Sequence, residues 1–508
     1  MMFFGKRTEQ DSSIYTAMDL GSNSFHLIVA KVEDGHVSII DRLRESVQLA
    51  AAIDDEGYIS DQGIERALDC LNRFSQRLRD IPSEYVRIVG TNTLRRSANG
   101  AEFLNKAQEI TGHGIELISG LEEARITYLG VAKGMADDGG KRMVIDIGGS
   151  STELIQGEKS TPHALASFNM GHITWSKKFF DAGKVTQKRF NKAVLAARLE
   201  MEPDENQYFC DDSIRIIGSS GTIRAIKKIL KSTSTFEGFI TLDDLKSIAD
   251  KYISCEDQKM PKFKDVSSER AQMLPGGLAI LVAMFQALNI SRMEVSESAI
   301  REGLLFDLIG RVKHEDVREL TVQAMSKRFH VDEEQAGSVR EMAAMLYRNV
   351  SDAWLLDEDA LSLLCWAASL HEIGLSIAHN GHHKYGEYIL QNADMPGFSW
   401  QEQILLSVIV RAHRKKINNN LFKSLSEELR EIAIRLTIIL RLAVIVNRNR
   451  KHAKIPNIDL KVDEAYLHLE LAEDWINEHP LTMADLEQER TYLASLGYEL
   501  HYTGEEQS

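Results

Sequence analysis

Two stretches of this chain are variations on one pattern. YTAMDLGSNSFHLIVAKV begins at Tyr15, and RMVIDIGGSSTELIQG begins at Arg142. Each reads as an apolar strand ending in Asp, a turn of small polar residues, and a second apolar strand. That is a β-hairpin with almost no side-chain bulk at its tip. A supersecondary unit used twice predicts two duplicated subdomains that face each other. Asp19 and Asp146 hold equivalent places in the two copies, and the second copy adds Glu153 on its return strand.

Glycine lets a backbone approach an anion closely. Successive N–H groups then cradle phosphate oxygens, and hydroxyls add donors. The candidate phosphate-binding residues of the first tip are Asp19, Gly21, Ser22, Asn23 and Ser24. Those of the second are Gly148, Gly149, Ser150 and Ser151. A third loop, Gly218-Ser219-Ser220-Gly221-Thr222, follows the strand-like IRII and opens the helical pattern IRAIKKIL, where a helix N-terminus would attract phosphate. A fourth, GTNTLRR from Gly90, offers Arg95 as a bidentate clamp. One such loop is an ordinary strand-end turn about as often as not; four in one chain point to an anion pocket.

A hard divalent cation takes one or two carboxylates and shares phosphate oxygens. Asp146 and Glu153, flanking the second tip, are the candidate metal ligands. SGLEEAR (119–125) joins a strand to a helix, with Ser119 as its cap. Its two glutamates would complement the macrodipole anywhere. Beside a phosphate site, one of them can orient or deprotonate water.

With 508 residues the chain is too long for one ordinary domain. Strand-like and helix-like segments alternate to about residue 310, and helical spacing dominates from about His314. Alternation returns in LKVDEAYLHLEL. These changes divide the chain into 1–136, 137–312, 313–445 and 446–508. A net charge of -15 argues against a nucleic-acid coat. LAILVAMFQAL (278–288) is too short to span a bilayer and reads as a buried helix. Four scattered cysteines suit a reducing compartment, and no targeting segment is evident, so a cytoplasmic location is expected, with peripheral membrane association compatible.

In chain order, DLGSNSFH (19–26), GTNTLR (90–95), SGLEEAR (119–125), DIGGSSTEL (146–154), GSSGT (218–222) and AIREG (299–303) resemble the exopolyphosphatase and guanosine-pentaphosphate phosphatase family. LHEIGL (370–375) and YILQNADMPGF (388–398) extend the likeness through the helical half. The resemblance implies an α/β actin-like (ribonuclease H-like) fold of duplicated N-terminal subdomains, followed by an α-helical HD-like domain and a small αβ C-terminal module. It implies Glu123 as catalytic base, Mg²⁺ at Asp146 and Glu153, optionally a monovalent cation such as K⁺, and a homodimer. The HD motif is degenerate, since His371 is followed by Glu372 rather than Asp. His379, His382, His383 and His413 lie close to it in sequence, so a second metal site is the lesser expectation and a structural helix with surface histidines the favoured one.

Two substrates compete. Inorganic polyphosphate would need a basic track, for which His383, Arg411, Arg414, Lys415 and Lys416 are candidates, with Arg448, Arg450, Lys451 and Lys454 nearby in sequence. Guanosine pentaphosphate (pppGpp) would need none, and MGHITW (170–175) resembles that branch. The basic segment weighs toward processive exopolyphosphatase action. An ATP-dependent kinase of the same fold and a non-enzymatic guanosine-polyphosphate sensor stay open.

Overall fold

The computed structural model describes residues 14–503, apart from 34–35, 55, 136–139, 181–183, 211–212, 233–235, 237, 256–260, 313–315 and 451–457. Lys451 and Lys454 therefore lie outside the described residues. The chain forms two compact units, Met1–Asp316 and Val317–Ser508.

The first unit holds two five-stranded sheets. The first contains β1 (Ile14–Leu20), β2 (Ser24–Glu33), β3 (His36–Ser46), β4 (Val86–Gly90) and β5 (Ile115–Leu117) in the order β3-β2-β1-β4-β5. The second contains β6 (Lys141–Ile147), β7 (Thr152–Glu158), β8 (Thr161–Phe168), β9 (Arg215–Ser219) and β10 (Glu294–Val295) in the order β10-β9-β6-β7-β8. Read from opposite edges, the orders are the same. In each, three antiparallel strands are followed by two parallel ones. The duplication expected from the two hairpins is therefore a duplication of the whole sheet. β1 and β6 are central strands, which is why they read as almost unbroken apolar runs.

Register fixes the hairpin tips. Asp19 stands opposite His26 in the β1–β2 pair, and Asp146 stands opposite Glu153 in the β6–β7 pair. The helix Gly120–Gly134 begins on Ser119, whose side chain accepts from the Glu122 N–H at 3.1 Å. It packs on the helix Ile300–Val312 at glycine distance. A Cβ on Gly303 would overlap the Ile126 carbonyl, and one on Gly130 would overlap that of Ala299. The same pair is tied by buried charge: Arg125 bonds Glu122 at 2.7 and 2.8 Å and also reaches Asp307, which Arg87 and Arg311 share.

The helix Ser268–Ala287 contains the expected apolar run and is buried over most of its length. Among the described residues, no helix is long and apolar enough to cross a membrane. The four cysteines are free.

The second unit is helical around one large core, with Leu346, Leu364, Leu406 and Leu436 fully buried. The late alternating stretch forms β11 (Asp459–Asp463) and β12 (Tyr466–Glu470), antiparallel, and β13 (Glu499–Tyr502) joins β12 in parallel.

Candidate active site

The two hairpin tips meet. Ser22 Oγ lies 3.0 Å from Ser150 Oγ, and Asn92 Nδ2 donates to the same hydroxyl at 3.1 Å. A cavity of about 140 Å³ opens beside this clasp. Its walls include Glu123, Asp19 and Asp146, together with Gly21, Ser22, Asn23 and Ser24 of one tip, Gly148, Gly149 and Ser151 of the other, and Ser220 and Gly221 at the end of β9. Four sequence-distant loops thus converge because both sheets end their central strands at one place.

Six expected site residues stand apart from the cavity wall. Ser150 is occupied as the clasp. Gly218 is a packing glycine, since a Cβ there would press on Met293 and Ile223. Ser219 hydrogen-bonds the Asp146 carboxyl, and Thr222 donates to the Ile147 carbonyl at 3.2 Å. Arg95 does not reach into the cavity. It donates to the Ile118 carbonyl and, at 3.2 Å, to Asn92, so it braces the turn that starts the Glu123 helix. Glu153 is buried behind Asp146 and accepts from Ser167 at 3.0 Å.

Sequence reading missed the cationic wall. Arg44, Arg224, Arg270 and Arg301 line the cavity, with His26 and His172. Arg301 lay inside the quoted AIREG motif, and Arg224 sits one turn into the helix Gly221–Lys231 opened by GSSGT, so both were within reach. Arg44 and Arg270 carry no local signal. Arg44 arrives by pairing of β3 with β2 opposite His26, and Arg270 by the packing of its long helix.

The acids and bases strain each other's charge. Asp19 is pushed up to about 7 by burial and by Asp146, against the pull of Arg301. Burial and then Asp146 raise Glu153 to about 8, opposed by hydrogen bonds from Ser151 and Ser167. Glu123 is held well above the usual carboxylate range by burial, then by Glu153 and Asp19. Asp146 is raised by burial, and the Ser219 bond opposes this. On the other wall, burial and then Arg301 depress His26 to about 3, and burial and Arg270 do the same to His172. His172 Nδ1 lies 2.7 Å from the Gly148 carbonyl, so that nitrogen carries the proton. Its Nε2 faces Arg270 Nη1 at 3.4 Å.

Asp19 Oδ1 and Glu123 Oε2 are buried without a hydrogen-bond partner among the described residues. These hard oxygens fit a divalent cation that takes few protein ligands and completes its shell with phosphate and water. Among the described residues, no three or more His, Cys, Asp or Glu side chains form a metal cage by themselves. Ser220 has φ +110°, a conformation costly for a residue with a Cβ, and it sits on the cavity wall, where such strain tends to mark function.

In the second unit, the expected basic track is not one continuous surface. Arg411 is ion-paired with Glu387 at 3.0 Å, and His383 is buried. Arg414 and Lys415 instead line a separate cavity, while Lys416 is exposed. Most of the nearby histidines are not a surface feature either: His371, His382 and His413 are buried, while His379 is exposed.

Comparison with known proteins agrees with this architecture. Residues 28–312 match the model of the Ppx/GppA phosphatase family, and residues 317–490 match that of Ppx/GppA phosphatase, domain III. A guanosine-5'-triphosphate,3'-diphosphate pyrophosphatase of Pseudoalteromonas atlantica is 37% identical over 488 residues, 96% of this chain and 97% of that one. The like-named protein of Vibrio cholerae is 37% identical over 493 residues, 96% and 98% of the two chains. A solved exopolyphosphatase from Cytophaga hutchinsonii superposes with a TM-score of 0.53 at 20% identity, over 58% of this chain and 98% of its own. The Aquifex aeolicus PPX-GPPA enzyme superposes with a TM-score of 0.50 at 24% identity, over 57% and 98%. The paired sheets and helical second unit are thus those of an actin-like phosphatase fold.

Proposed function

Because this chain belongs to the Ppx/GppA phosphatase family, we propose that it removes the terminal 5′ phosphate of guanosine-5'-triphosphate,3'-diphosphate, releasing orthophosphate and the tetraphosphate. The observation that carries the choice of substrate is the near full-length likeness to proteins of that name. This reverses the weighting toward polyphosphate, which leaned on a basic track. Arg411 and His383, two of its five members, are engaged or buried.

The cavity supports the chemistry. Glu123, with a buried unpartnered oxygen, orients the attacking water and accepts its proton. Water oxygen attacks the terminal phosphorus in line. The bond to the bridging oxygen breaks, and that oxygen leaves with the electron pair on the shortened nucleotide. Arg44, Arg224, Arg270 and Arg301 face the charge of the phosphates on either side of the breaking bond. Asp19 and Asp146 would hold Mg²⁺, with Glu153 behind them, and the ion would supply charge neutralisation at the transferred phosphoryl. The clasped tips hold donors in place without reorganisation. A cytoplasmic homodimer is the assembly and location that go with this reading, and sedimentation at several concentrations tests the dimer.

The test is orthophosphate release with Mg²⁺ from pppGpp and from long-chain polyphosphate, for wild type and Glu123→Gln. The expected result is a higher kcat/KM on pppGpp and a loss of about 10² or more in kcat in the variant. A higher kcat/KM on polyphosphate would overturn the substrate. Binding of pppGpp with no release by the wild type would turn the reading to a sensor, and ATP consumption dependent on a sugar would turn it to a kinase.

A further inference from the structure

The helical unit contains its own cavity, of about 520 Å³, and the Ppx/GppA reaction does not account for it. Three buried acceptors on its wall have no hydrogen-bond partner among the described residues: Gln335 Oε1, His371 Nε2 and Glu372 Oε2. The chemistry of each atom is settled by its other half. Gln335 Nε2 donates to the Asn447 carbonyl at 3.0 Å, so the remaining amide atom is the oxygen. His371 Nδ1 lies 2.7 Å from the Ala368 carbonyl, so Nδ1 carries the proton and Nε2 keeps a lone pair. Glu372 gives one oxygen to Arg450 at 2.5 Å and leaves the other. Burial holds the His371 imidazole below its ordinary range, which keeps it an acceptor. A buried acceptor without a donor is left desolvated and uncompensated, so three on one wall call for a ligand rich in N–H groups.

Cations stand on the same cavity. Arg441, Arg448 and Arg450 are each ion-paired with carboxylates. Arg414 and Lys415 have no carboxylate within ion-pair distance among the described residues. Arg414 Nη1 lies 3.1 Å from the ring nitrogens of His382. The turn that presents them is held from beneath: buried Arg441 donates to the carbonyls of Ala412, at 2.5 Å, and Lys415, at 2.9 Å. Lys415 itself is in the left-handed region, with φ +64°. A strained residue on a braced turn fits a preformed anion contact. The guanidinium beside His382 also sets this wall against a dication, and among the described residues no three His, Cys, Asp or Glu form a metal cage.

A ligand that satisfies both features carries several N–H donors and a separate anion. Guanine presents three N–H donors on one edge, two of them on the exocyclic amine; adenine presents only the two of its own amine. The volume admits a mononucleotide. We propose that this cavity is a second nucleotide site, which takes a guanine nucleotide by its N–H edge at Gln335, His371 and Glu372 and by its phosphate at Arg414 and Lys415. The proposal does not depend on which substrate the first unit hydrolyses.

The probe is guanosine 5′-monophosphate, which has no phosphoanhydride to cleave, added to the full-length protein and followed by calorimetry and by hydrogen exchange read peptide by peptide. Inosine and adenosine monophosphates and inorganic phosphate are the comparison ligands. Guanosine monophosphate is expected to bind more tightly than adenosine or inosine monophosphate, whose bases offer two and one N–H donors against its three. Exchange across residues 368–376 and 410–416 slows by up to about 100-fold when guanosine monophosphate stands at about a hundred times its Kd. Arg414→Ala, at a partly buried side chain without a carboxylate partner among the described residues, weakens binding about tenfold or more and keeps the wild-type melting temperature. Gln335→Leu narrows the gap between guanosine and adenosine monophosphates. Equal affinity for the two bases, the same protection by inorganic phosphate alone, or undiminished binding by Arg414→Ala each overturns the proposal. Protection confined to residues 21–24 and 148–151 does so too, since it would put the nucleotide in the first unit's cleft.

Discussion

Asp19 is an acid in an awkward place. It is buried beside Asp146, only partly offset by Arg301, and its carboxyl is raised to about 7. The fold therefore favours the protonated form. Between about pH 4 and pH 7 the native state binds more protons than the unfolded chain, so this group's contribution to stability falls as pH rises through that window. Asp19→Asn is expected to raise the melting temperature of chelator-treated protein at about pH 8, and to change it little near pH 4. Thermal unfolding of both proteins across that range checks the sign; an equal shift at both ends would remove the argument. Asp19 was legible because Asp ends an apolar strand at a small-residue tip. The arginines opposite were mostly not, because a cation that reaches a site from a neighbouring strand or a long helix has no local pattern to announce it. Gly218 shows the reverse error: a glycine in a loop motif can be there for packing alone.

At the scale of elements, the helix carrying Glu123 is placed by its neighbours rather than by its own sequence. Asp307 on Ile300–Val312 is shared by Arg87, Arg125 and Arg311, all in the interior or nearly so. Asp307→Asn leaves those guanidiniums buried with less countercharge, and a loss of about 3–5 kcal/mol in unfolding free energy is expected, measurable by urea titration. A loss under about 1 kcal/mol would mean the network relaxes freely. The hairpins were readable because alternation and turn chemistry are local signals. The match of strand order between the two sheets was readable only as a hint, since pairing of β4 with β1 and β9 with β6 joins residues about 70 apart. His371, His382, His383 and His413 are buried where surface groups were expected, because a degenerate metal motif says nothing about burial.

Over the whole molecule the charges sum to -15, yet one cleft is lined by four arginines. A polyanionic substrate is repelled at long range and attracted at short range. Salt screens the first over about 8–10 Å in ordinary buffers and weakens the exposed part of the second. Since the arginines sit in the cleft, added salt is expected to raise KM for pppGpp while leaving kcat within about twofold, a split that initial rates from about 0.05 to 0.3 M salt would expose. A fall in kcat with constant KM would place the salt-sensitive charge in the chemical step instead. The clasp between the hairpin tips sets a different limit. Ser150 is held from the other half by Ser22 and Asn92, two neutral hydrogen bonds together worth about 2 kcal/mol. Those two bonds by themselves favour the joined tips by roughly thirtyfold. Thermal motion can undo a tie of that size without any dedicated signal, so the contact between the two halves is a latch rather than a weld.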